Sequence, residues 1–168
     1  MRTRTAIAFA LAGVTFALVT AALAVGPTSV TQTGGLHFVG TPDVTATKDV
    51  SGVFLTATGE VAGAGTSATA TLSADVTIVT GCINRGSKDQ QPSGLQRSTS
   101  PTVGTQTFRT RSGRGTFDVD TTPVDASSRT CPDQMTPVLV SATFANVVLT
   151  ITSGPNKTLT ATFPDIDP

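Results

Sequence analysis

The stretch that decides the fold is 69–82, "TATLSADVTIVTGC". Ala70, Leu72, Ala74, Val76, Ile78 and Cys82 fall on one parity, and Thr69, Thr71, Ser73, Asp75 and Thr77 fall on the other. Alternation with a period of two over this length predicts a β-strand with one buried face. It also puts Cys82 on the core side, where a bridge between sheets would begin.

The same pattern recurs outward from this strand. Upstream lie "LHFV" at 36–39, "DVTAT" at 43–47 and "VFLTATG" at 53–59, the last with Val53, Leu55 and Ala57 on one face. Downstream come "LQRSTS" at 95–100, "VGTQTFRT" at 103–110 and "TFDVDTT" at 116–122. A two-residue turn at Gly113 and Arg114 would make the last two a hairpin, with Phe108 facing Val119 and Arg109 paired with Asp118. In "PVLVSATF" at 137–144 the inward parity is even (Val138, Val140, Ala142, Phe144). In "VVLTITS" at 147–153 it is odd, so one extra residue near Ala145-Asn146 makes either a hairpin turn or a bulge in one long strand. "KTLTATF" at 157–163 turns Leu159, Ala161 and Phe163 inward. Thr and Val abound, and both suit pleated, half-buried surfaces. Eight or nine short strands with dense turns and no helical stretch predict an all-β chain. The expected architecture is a two-layer antiparallel β-sandwich, immunoglobulin-like.

The N-terminus reads as an export signal. Arg2 and Arg4 precede an apolar run to about Ala21, and Ala22-Leu23-Ala24 supplies small residues for cleavage after Ala24. The alternative is an uncleaved anchor, against which Gly13, Thr15 and Thr20 dilute the run. The expected organisation is a signal peptide over 1–24, a flexible lead-in over 25–35 and one sandwich domain over 36–168. No second apolar run reaches membrane length. In an exported chain the two cysteines, Cys82 and Cys131, are expected to pair. Free thiols or a metal site are the alternatives, and two Cys with one distant His are too few for structural zinc.

Without Arg2 and Arg4 the chain holds nine basic and eleven acidic residues. That is no footprint for DNA or RNA. Catalytic signals are sparse. His37, the only histidine, sits in an expected edge strand, and no Gly-x-Ser-x-Gly elbow or phosphate loop occurs. Asp118 and Asp120 share a strand face and keep a carboxylate hydrolase formally open, although a solvated face explains them more simply. Asp118, Asp120 and Asp125, or Asp165 and Asp167, could offer oxygen ligands to calcium, but no known calcium-loop spacing is present. No catalytic residue, metal or cofactor is assigned. With no Trp and no Tyr, an aromatic platform for sugars is weak. The Thr-x-Thr pairs at 45/47, 56/58, 69/71, 105/107, 150/152 and 158/160/162 raise the idea of an ice-binding array. Such an array needs regular ranks, and the sequence has no repeat to make them.

The order "LTATGEVAGAG", "ATATLSADVTIVTGCIN", "GTQTFRTRSGRGTFDV", a Cys-Pro and "VSATFANVVLTITSG" resembles small secreted proteins of high-GC Gram-positive bacteria (actinobacteria) over roughly 50–153. The resemblance implies export and a disulfide, and no activity. Where the pattern more often has a Gly pair, this chain has "CINRGSKDQ". The expected role is a secreted or cell-surface binding module. Its candidate contact loop holds Asn84, Arg85, Lys88, Asp89 and Gln90, next to Cys82, and 123–134 is a second polar loop beside Cys131. The expected partner is a protein or a cell-envelope polymer. A structural, self-associating envelope component is the alternative, and a carboxylate hydrolase is the distant third.

Overall fold

The computed structural model describes residues 24–84, 86 and 91–168. Of the export segment of the sequence reading, 1–24, residues 1–23 lie outside them. Nine strands form among the described residues: β1 (Ser29–Gln32), β2 (His37–Phe38), β3 (Asp43–Asp49), β4 (Gly52–Ala62), β5 (Ser67–Asn84), β6 (Ser93–Arg109), β7 (Gly115–Asp120), β8 (Met135–Thr152) and β9 (Thr158–Thr162). One sheet runs β1-β9-β8-β5-β6, all antiparallel. The other is built on β4. Val61 of β4 faces Phe38 on one side and Gly115 on the other, so β7 lies along one edge. β2 and β3 follow one another along the opposite edge.

β3-β4-β7 packs against β9-β8-β5-β6. This is the A-B-E against G-F-C-C′ arrangement of immunoglobulin-like sandwiches. The expected alternation in β5 is observed: Ala70, Leu72, Ala74, Val76, Ile78 and Cys82 are buried. All of these but Cys82 meet Val53, Leu55, Ala57, Val61, Phe117 and Val119 of the smaller sheet in one continuous core, together with Phe144, Leu149, Ile151 and Leu159.

Four expectations are corrected, and one open choice is settled. The segment 25–35 is no flexible lead-in. Ser29–Gln32 adds β1 to the free edge of β9, and Val25 exchanges backbone bonds with Val44. Unpaired sheet edges attract strands, and Thr31 suits that edge.

The segments 95–100 and 103–110 are one strand, β6, which runs through Pro101. β6 is an edge strand, where a missing N–H can face away from the sheet.

The expected hairpin of 103–110 with 116–122 does not form. The turn centres on Ser112 and Gly113, both with positive φ (51° and 77°), as a two-residue turn of this kind requires. Arg111 and Arg114 exchange the one pair of backbone bonds. The chain then splits, β6 to pair with β5 and β7 to pair with β4. The shifted turn sets Phe108 against Phe117, with ring centroids 6.1 Å apart. Arg109 does not pair with Asp118; the ion pair among the described residues is Arg114 Nε to Glu60 Oε1, 2.9 Å.

The parity switch in 137–153 is a bulge in one strand. Ser73 pairs with Val148 and Asp75 with Ala145. Asn146 stands in the left-handed region (φ 52°) and donates its side-chain N–H to Asp75 Oδ2 at 2.9 Å. A second bulge at Val140 exposes that side chain and packs Leu139 on the core instead.

The disulfide Cys82–Cys131 forms, with Cα atoms 5.8 Å apart, but it does not span the two sheets. Cys82 pairs with Pro137 of neighbouring β8, and Cys131 lies in the connection that leads into β8. The bridge therefore ties that connection to the end of β5.

Candidate functional site

The two ends of the sandwich differ in kind. At one end the turns interlock through backbone bonds. Ala64 N–H donates to Gly113 O, Thr110 N–H to Thr66 O, Gly65 N–H to Ser153 Oγ and Lys157 Nζ to Gly63 O. His37 lies near this end, on β2, with Nδ1 donating to Gly35 O at 3.0 Å. The lone imidazole is thereby a local turn brace.

The other end carries the β3–β4 turn, the β5–β6 connection, the β7–β8 connection and the segment after β9. Of the expected contact residues, Asn84 is exposed at the end of β5, and its Oδ1 accepts the Gly86 N–H at 3.1 Å. Arg85, Lys88, Asp89 and Gln90 lie outside the described residues.

The β7–β8 connection was expected as a polar loop anchored by its cysteine alone. It is held at several points. Val124 pairs with Val53. Thr121 exchanges bonds with Leu55, its N–H donating to the carbonyl and its buried Oγ1 accepting the Leu55 N–H. Arg129 reaches across to β6, with Nη2 donating to Gly94 O at 2.6 Å and Nη1 donating to Gln96 Oε1. Cys131 adds the covalent tie.

Beside this connection opens a cleft of about 300 Å³, lined by Lys48, Asp49, Val50, Asp125, Ser127, Pro137 and Leu139 among others. Lys48 Nζ donates to Leu139 O at 3.2 Å and separates this cleft from a second of about 320 Å³ against Ser141, Thr143 and Asp167. The first cleft is framed by two copies of one motif. Asp49 Oδ1 accepts the N–H and the hydroxyl of Ser51, at 2.7 and 2.6 Å. Asp125 Oδ1 accepts the N–H and the hydroxyl of Ser127, at 3.0 and 2.6 Å. Such local acceptors are what Asx turns provide. In each case the serine hydroxyl, then its N–H, holds the carboxyl below its ordinary value of 3.8. Both side chains are exposed. Val50 stands fully exposed at the tip between them.

Because folding lowers both pKa values, each turn contributes its stability at neutral pH. It loses that stability as pH falls below about 4 through the folded value. Ser127→Ala is expected to return Asp125 toward its ordinary pKa and leave Asp49 unmoved. A carboxyl-carbon NMR titration reads this directly, and an unchanged Asp125 midpoint would contradict it.

The arrangement offers recognition chemistry: one cation between two ionised carboxylates, with apolar Val50, Pro137 and Leu139 beside them. Ser51 and Ser127 spend their hydroxyl protons on their own turns, and no histidine stands by as a base. Asp120, on β7, accepts the Thr56 hydroxyl at 2.6 Å, and the Asp118 N–H donates to Gln106 Oε1. Among the described residues no three His, Cys, Asp or Glu side chains come together in a group that could hold a metal. Reading the sequence missed Lys48, Asp49 and Arg129, and considered Asp125 only as a calcium ligand beside Asp118 and Asp120. The available signal was the repeated Asp-x-Ser, at 49–51 and 125–127. No family model matches the chain, and no significant match to a curated protein or a solved structure was found.

Proposed function

We propose that this protein is a non-enzymatic binding module, secreted or held at the cell surface, of the kind exported by high-GC Gram-positive bacteria. It contacts a protein or cell-envelope polymer through the loops at its disulfide end. One observation carries this reading: the β7–β8 connection is exposed yet pinned by Thr121, Val124, Arg129 and Cys131. A loop pre-ordered on a rigid scaffold loses little entropy when it binds. The disulfide supports an oxidising compartment, and no helix among the described residues is long and apolar enough to cross a membrane.

The test compares the domain with two variants, one with alanine at Asn84, Arg85, Lys88, Asp89 and Gln90, the other Lys48→Glu with Val50→Asp. Retention on isolated envelope polymer and capture of labelled surface proteins are measured. At least a tenfold loss in one variant, with unchanged melting, is expected. Equal retention by all three proteins would remove the loops from the reading.

A second reading, self-association as an envelope component, is supported by β6. The strand pairs only with β5, and residues 93–101 are exposed on both faces, which leaves an open edge for another strand. Concentration-dependent sedimentation would favour it.

A further inference from the structure

The outer face of the five-stranded sheet gathers four of the six Thr-x-Thr segments, with Thr31 and Thr33, into ranks. Thr31 pairs with Thr160, Thr160 with Thr150, Thr150 with Thr71 and Thr71 with Thr105. That is one unbroken rank of threonine across all five strands. The next rank is also all threonine. Thr33 bonds Thr158, Thr158 pairs with Thr152, Thr152 with Thr69 and Thr69 with Thr107. On the other side Ser29, Thr162, Val148, Ser73 and Val103 form a third rank. None of these positions is charged. The edge threonines and Thr152 are exposed and the other central ones half-buried, with their inward neighbours Leu72, Leu149 and Leu159 fully buried. The outer face of the smaller sheet is different: there Thr56 and Thr58 stand opposite Asp120 and Asp118.

We propose that this face binds the surface of ice. Hydroxyls repeat at about 4.8 Å across the strands and about 6.7 Å along them. Those spacings lie near the repeats of oxygen rows on a prism plane of ice. Each threonine adds a methyl that shields its hydroxyl from bulk water. Thr69 and Thr107 share a hydrogen bond at 3.2 Å and Thr71 and Thr105 at 3.5 Å. A hydroxyl has one donor and two acceptor sites, so each keeps capacity to join a water lattice.

The area argues against a second copy of the chain. Three ranks of five cover about 24 by 20 Å, near 480 Å², well under the roughly 800 Å² that each side of a standard interface gives. The three ranks themselves hold no aromatic or Arg anchor of the kind that dominates protein interfaces; Arg109 and Asp75 stand one rank beyond them at either side. An uncharged, periodic patch fits an uncharged, periodic partner. Sheet twist rotates the outer strands away from any flat plane, so contact is carried by β9, β8 and β5. The expected activity is accordingly modest: inhibition of ice recrystallisation with little depression of the freezing point.

The full chain, freed of its export segment, is tested by partition into slowly grown ice and by recrystallisation of a frozen thin film. Thr71→Lys, in the central rank, and Thr152→Lys, exposed on β8, are each expected to cut ice partition at least tenfold with unchanged circular dichroism. Thr45→Lys, on the smaller sheet, and the loop alanine variant should partition like the parent, so this result stands or falls apart from the loop reading. The proposal is overturned if the parent is excluded from ice, if the Thr152→Lys variant partitions normally, or if Thr45→Lys is as damaging. A dimer that Thr71→Lys breaks would overturn it in favour of a second copy.

Discussion

Gly104→Ala is expected to cost more than about 3 kcal/mol, beyond the usual range for overpacking a core, and to leave much of the chain unfolded at 37 °C. A Cβ at Gly104 would lie 1.7 Å from the Asp120 carbonyl oxygen, 2.5 Å from its carbon and 2.9 Å from Thr121 N. All three are backbone atoms, so no rotamer change relieves the contact. Neither strand is free to retreat. Gly104 pairs with Leu72 at the centre of β5. Asp120 is held to β4 by the Thr56 hydroxyl, and Thr121 by both backbone groups of Leu55. The two sheets are also stitched at this edge, Thr102 Oγ1 donating to Thr122 O at 2.7 Å and Thr122 N–H to Val103 O at 3.2 Å. A methyl here must prise the sandwich open along β6 and β7. Gly154→Ala is the comparison. Its Cβ meets nothing, and only the positive φ of 70° opposes it, a cost of about 1 kcal/mol. Urea denaturation of both variants measures the difference. Equal midpoints would show that β6 and β7 do not touch.

The second large effect concerns the disulfide. Replacing Cys82 and Cys131 together by alanine is expected to remove up to about 4 kcal/mol, the chain-entropy value for a closed loop of 49 residues. Alanine is the better choice than serine because Cys82 is buried and a hydroxyl there would need a partner. The damage should be uneven. Cys82 sits within the β5–β8 ladder, opposite Pro137, and that ladder survives without the bridge. Cys131 lies between Arg129 and β8 with no strand of its own. Hydrogen exchange is therefore expected to accelerate first over 125–134, while Val76 and Leu72 stay protected. Uniform loss of protection across both sheets would contradict this account.

The long strands were legible because their two faces differ in polarity. The core-facing residues of β5 could be read over 69–82, within the observed Ser67–Asn84, and so could the inward face of β9. What sequence could not supply was partnership. Residues 103–110 and 116–122 look like a hairpin because a good turn joins them. A turn fixes only the direction of the next strand, and the core decided which sheet each joined. β1 was missed for a related reason. Ser29, Val30, Thr31 and Gln32 carry no strong alternation, and their order comes from the edge of β9. The threonine ranks were hidden in the same way. Ranks were sought as a repeat along the chain, whereas five unrelated segments acquire them through register across strands. The cleft was not read because Lys48-Asp49 and Asp125 lie far apart in sequence, and only the fold brings the two segments to one cleft.

The pairing of β1 with β9 also bears on time. Ser29 meets Thr162, so the first described strand finds its place only after the last one is present. Contacts so distant along the chain must overcome loop closure before they return any stability, and such sheets fold in milliseconds to seconds rather than microseconds. A chain emerging from its amino end therefore holds its β1 segment unpaired until the β9 segment arrives. The seam between the two strands acts as a latch that shuts last.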